Sequence, residues 1–261
     1  MRLKTFIVTT GIWLLIFGLR VPAGAPPKEG AFEFAMVRYG GKNWEKNEEL
    51  INHHGRFYIP NFLKWLNENK VIKAREEVRL IDLSNDRLFN YPLLFMDGCY
   101  GFELTAKEKE NLKAHLQRGG FLFADDCGGQ SNLHKKRGRF SVQLHDLLTN
   151  LFPEGEWRVL PPDHDIYRAP YSFPKGLPNF FGPENDRSPD TAAKKRKGQG
   201  GEGFFHQNRM IVFFSDADIG CVWIWAKHTG LLPGKDGQEM KNRVEEAYKM
   251  GANIVIYAMT H

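Results

Sequence analysis

Cysteine is scarce: Cys99, Cys127 and Cys221 are the only three in 261 residues. Three cysteines cannot build a disulfide scaffold, and none sits in the CxxC spacing of a structural zinc site. A membrane-spanning run is lacking at the N-terminus, where the uncharged stretch Phe6–Leu19 has 14 residues and a transmembrane helix needs about 20. Excess charge is small once it is located. The chain has 36 basic and 31 acidic side chains, net +5, but Arg2, Lys4 and Arg20 fall in residues 1–25, which hold no acid. Residues 26–261 are left at +2, which gives nucleic acid no footing as a partner. There is no internal repeat and no HExxH motif.

The N-terminus has instead the three parts of a secretory signal. Arg2 and Lys4 start it, the apolar run follows, and Val21-Pro22-Ala23-Gly24-Ala25 supplies small residues for a peptidase. The expectation is an exported protein, periplasmic or extracellular, with a signal over 1–25 and one mature domain over 26–261. An uncleaved helix would be its one tie to a membrane. In an oxidising compartment, three cysteines predict one bridge and one free or buried thiol.

The mature part alternates strand-like and helix-like segments, the pattern of an α/β protein with a mostly parallel sheet flanked by helices. Strands are predicted near 32–39, 78–83, 93–96, 121–124, 157–160 and 210–214. Helices are predicted near 59–69, 140–152 and 237–257. A further helix begins at Thr105, where Glu108 completes the capping-box spacing, and ends at Gly119-Gly120. Residues 183–203 contain almost nothing apolar and read as a polar surface insertion, with a basic run at Lys194–Lys197.

In an open parallel sheet, ligands bind beyond the carboxyl ends of the strands. Here those ends carry Asp97 and Glu103, then Asp125, Asp126 and Cys127, then Asp163, His164 and Asp165, then Asp216 and Asp218. Convergence of these groups on one edge would make a ligand-binding cleft. Cys127 before Gly128-Gly129 has the layout of a nucleophile elbow, with His164 as a base and Asp126 beside them. The alternative is a structural thiol bridged to Cys99. Asp125, Asp126, His164 and Asp216 could instead hold a divalent metal. No cofactor is specified. Trp223 and Trp225 suit core packing or stacking on a sugar.

Taken together, Phe34–Tyr39, Thr105–Asp126, Leu151-Phe152-Pro153, Asp163-His164, Ser215-Asp216, Gly251–Asn253 and Tyr257-Ala258 resemble a bacterial family catalogued as domain of unknown function 4159. The resemblance spans most of residues 31–260. It implies a single domain with a flavodoxin-like sheet, similar to class I glutamine amidotransferases and to the trehalose-utilisation ThuA-like proteins. Amidotransferases place glycine two residues before the thiol, where this chain has Asp125. A carboxylate there opposes thiolate formation, and the downstream His-x-Glu pair is absent. The ThuA-like resemblance implies a role connected with sugars. Three functions follow as expectations: a module binding saccharide or cell-envelope material, a hydrolase using Cys127/His164 or a carboxylate-held metal, and an envelope-complex scaffold joined through the 183–203 insertion.

Overall fold

Strand and helix alternate along the chain as the residue pattern requires. The computed structural model describes residues 30–39, 58–98, 100–126, 140–178, 180, 201–223 and 237–261. Its elements in chain order are β1 (Ala35–Arg38), α1 (Ile59–Glu68), β2 (Arg79–Asp82), β3 (Leu93–Gly98), α2 (Ala106–Gln117), β4 (Phe121–Asp126), α3 (Phe140–Leu151), β5 (Glu156–Val159), β6 (Glu202–His206), β7 (Arg209–Ser215), α4 (Ile219–Val222) and α5 (Gly237–Thr260). Short 3-10 turns lie at Asp86–Asn90 and Asp165–Tyr167. The predicted signal, Cys99, Cys127 and residues 183–200 lie outside the described residues.

The sheet runs β2-β1-β3-β4-β7-β6-β5. The first five strands in that order are parallel, and β6 runs antiparallel to both β7 and β5. The central strands β3 and β4 are buried along their whole length, which is why they read as unbroken apolar runs rather than alternating ones. Thr105 caps α2 as its spacing predicts: its hydroxyl accepts from the Glu108 N–H at 3.3 Å, and the Glu108 carboxylate accepts from the Thr105 N–H at 2.8 Å. Gly119 follows with φ +99°, a backbone state that glycine adopts without strain.

One strand escapes the sequence pattern. The polar insertion expected over 183–203 gives way at Glu202 to β6, which a two-residue turn at Gln207-Asn208 joins to β7. Glycines at 198, 200, 201 and 203 mask the strand because glycine carries no pattern. This hairpin makes the sheet mixed and puts β5 on its outer edge.

The helices form two layers. On one face Trp223 stacks on Phe62 of α1 at 4.3 Å and sits 6.1 Å from Phe95 and 6.4 Å from Phe123. The Trp223 indole N–H donates to the Ala247 carbonyl of α5 at 3.1 Å, so α1, α4 and α5 cover this face. On the other face Phe140 of α3 lies against Gly98, and His115 of α2 against Gly120. Core packing is thus the observed role of Trp223; Trp225 is outside the described residues.

Candidate functional site

Strand register decides which polar groups meet. Asp97 of β3 pairs with Asp125 of β4, and Asp125 with Ser215 of β7. Paired residues on adjacent strands point to the same face about 4.8 Å apart. Phe95, Phe123 and Phe213 lie two residues earlier on the same strands, so the acidic row stands on the face covered by Trp223, at the carboxyl edge. Asp97 and Asp125 are fully buried. Asp126 pairs with Gly98 and therefore faces the opposite, α3 side.

The turn after β7 completes the row. Ser215 Oγ accepts from the Ala217 N–H at 3.0 Å. Asp218, buried, adopts the left-handed conformation (φ 54°, ψ 46°) that aspartate tolerates better than most residues. The Gly220 N–H then donates to Asp125 Oδ2 at 2.7 Å. A Cβ at Gly220 would stand 3.3 Å from that oxygen, so a bare backbone lets the amide come this close. Asp125 Oδ1 is buried and makes no hydrogen bond of normal geometry.

These surroundings push the Asp125 carboxyl well above its ordinary range. Burial is the main cause, followed by the charges of Asp218 and Asp97; the Gly220 N–H and the Ser215 hydroxyl pull weakly the other way. Cys221 belongs to the same cluster. Its thiol is pushed up by burial and then by Asp218, Asp97 and Asp125, which holds it neutral and unreactive. Tyr58 is raised by burial and by the charges of Cys221, Asp218 and Asp97. Tyr39, raised by burial, Asp97 and Asp126, donates its hydroxyl to the Asp97 carbonyl at 2.9 Å.

The residues after β5 go elsewhere. Leu160 N–H still bonds Gly201 at the carboxyl edge, but the chain then folds back beneath α5. His164 lies 6.4 Å from Phe205 and 5.7 Å from Tyr257, which itself lies 5.7 Å from Phe121 at the start of β4. Its pKa is lowered, first by burial; the other charges acting on it are Asp165, His261 and Asp163. Asp163 and Asp165 are exposed beside it. The structure therefore brings together Asp97, Asp125 and Asp218, sets Asp126 on the other face of the same edge, and places the Asp163-His164-Asp165 segment near the opposite end of β4. Glu103 is exposed and Asp216 half-buried.

A profile of the family described as a domain of unknown function, DUF4159, matches residues 33–259. The chain belongs to this family. No curated protein matches it. In this DUF4159 chain, no group of three or more histidine, cysteine, aspartate or glutamate side chains among the described residues has metal-binding geometry. Among the described residues, no helix is long and apolar enough to cross a membrane. Cys221, Tyr39, Tyr58 and Gly220 were not foreseen as site residues. The one sequence signal for them is that Tyr39 ends the first strand and Cys221 follows Ser215–Asp218 within one short turn.

Proposed function

We propose that this DUF4159 chain is an exported module that binds a saccharide, or related polyhydroxylated cell-envelope material, at its acidic carboxyl edge. We infer that its sheet is of the flavodoxin-like class seen in class I glutamine amidotransferase-like and ThuA-like proteins, with one mature domain over 26–261. The observation that carries the reading is the row of buried acids at the carboxyl edge, Asp97 paired with Asp125 and Asp218 following β7, in which Asp125 is held toward its neutral form. An ionised carboxylate accepts from two neighbouring sugar hydroxyls, while a neutral carboxyl can donate to a ring or bridging oxygen. A neutral Asp125 carboxyl both donates and accepts, which suits a ligand that is itself both donor and acceptor.

Calorimetric titration against a broad glycan panel tests this. Binding by the wild type that Asp97→Asn abolishes is the expected result; failure of every glycan to bind would overturn it. Export is checked separately, by the mass of the N-terminus of protein recovered from outside the cytoplasm.

A second reading is acid–base hydrolysis of a glycosidic or related bond, in which Asp125 donates a proton and Asp97 or Asp218 assists as the neighbouring carboxyl. Asp125, held toward its neutral form by burial and by the neighbouring charges, favours it as the proton donor. Turnover of a bound glycan, abolished by Asp125→Asn, would select this reading over simple binding. A thiol–imidazole mechanism draws no support from His164, which packs on Tyr257 near Phe121 at the start of β4, whereas Asp126, the residue before Cys127, ends that strand.

A further inference from the structure

A pocket of about 590 Å³ opens at the other end of the sheet, between the last turn of α2 and the β6–β7 hairpin. Its size falls in the usual range of small-molecule sites, about 300–1,000 Å³. Arg118, Arg209, His206, Gln117 and Gln207 line it over a floor that includes Ile211, and no carboxylate does. We propose that this pocket binds the oxyanion group, carboxylate or phosphate, of a small organic anion.

Arg209 is fixed in place before any ligand arrives. Its Nη1 donates to the Gly120 carbonyl at 3.2 Å, and its Nη2 donates to that of Leu116. A guanidinium has five N–H groups, so these bonds leave donors over. Capping the end of α2 accounts for Arg209 alone. Arg118 is held beside the pocket by its guanidinium stacking 4.4 Å from the Phe89 ring centroid, and neither contact accounts for His206. His206 packs 4.8 Å from Phe152, and its Nδ1 is shielded from solvent without a hydrogen bond. Gln207 adds a third feature. It occupies the first central position of the hairpin turn at φ 50°, where glycine, asparagine or aspartate is the comfortable choice. An amide side chain is thus held at the rim in a strained backbone state. Two guanidiniums, an imidazole and two amides around one cavity offer donors and positive charge, the complement of an oxyanion.

Calorimetry on the full chain with citrate, glucose 6-phosphate and inorganic phosphate, and with glucose as the neutral control, tests the proposal. At least one oxyanion probe should bind, and its affinity should fall about tenfold in Arg118→Ala, the loss of one charge-assisted contact. Arg118 is exposed, so this variant should keep the wild-type melting temperature. His206→Phe should weaken binding while keeping the ring packed on Phe152. A preference for citrate or for the phosphates identifies which oxyanion the site takes. Asp125→Asn should leave anion binding intact, which separates this site from the acidic edge. If no oxyanion probe binds, if glucose competes equally for the pocket, or if both variants bind like the wild type, the proposal is wrong.

Discussion

The two ends of the sheet each bury a titratable group, but in different surroundings. At the carboxyl edge, Asp97, Asp125 and Asp218 are crowded together, and the Asp125 carboxyl is driven up by burial and by its neighbours' charge. At the amino edge, His115 is equally buried, yet its pKa is lowered to about 4, mainly by burial and in part by Arg209. Both groups are pressed toward their neutral forms. At the amino edge this serves packing, because His115 fills the space that Gly120 leaves open. At the carboxyl edge Asp125 accepts the Gly220 N–H that folds the turn after β7, while the charges of Asp218 and Asp97 beside it raise its carboxyl further. A carboxyl shifted this way beyond the strand ends is the feature on which the proposed site rests.

The largest expected effect concerns what supports the acidic row. Trp223 lies beneath Asp97 and Asp125 against Phe95 and Phe123. Trp223→Ala should cost about 3–5 kcal/mol, measurable by denaturant unfolding, and should remove ligand binding at the carboxyl edge with it. A loss below 1 kcal/mol would mean the edge does not depend on this prop.

The next concerns acid sensitivity at the amino edge. The folded-state pKa of His115 lies below its ordinary 6.5, so between those values the unfolded chain binds the extra proton. Its contribution is therefore full above pH 6.5 and is lost as the pH falls toward 4. The loss should amount to roughly 3 kcal/mol by linkage, and His115→Gln should remove that part of the acid slope. An unchanged slope would place the acid sensitivity elsewhere.

A smaller effect belongs to the hairpin. Gln207→Gly relieves the left-handed backbone at φ 50° and should raise stability by about 1 kcal/mol. It should weaken anion binding in the amino-edge pocket at the same time. Stability that falls instead would mean the side chain earns its place by packing alone.

Much of the fold, and the acidic half of this contrast, was legible in the chain itself. Thr105 and Glu108 announced the start of α2, Gly119 its end, and the apolar runs at 93–96 and 121–124 the buried centre of the sheet. The acids after those runs pointed to the carboxyl edge. Register was not legible: Asp125 faces Asp97, and Asp126 the other side, because β3 and β4 pair without offset, and pairing is a tertiary outcome. His164 was drawn to the same edge by its place after a strand. The glycine-masked strand β6 separates β5 from β7, and Pro161-Pro162 is followed by a turn back beneath α5. Cys221, counted only as a spare thiol, joins the acids because Gly220 brings that turn onto Asp125.

The most direct test compares wild type and Asp125→Asn across pH 4 to 8, reading the melting temperature and glycan binding on the same samples. Asp125 has a folded-state pKa above its ordinary 3.8. The native state then binds the extra proton, and its stabilising contribution is full below that value and lost as the pH rises. The variant should gain stability relative to wild type as the pH rises, and should lose the ligand. A stability difference independent of pH, together with undiminished binding, would contradict the assignment of the acidic edge as the site.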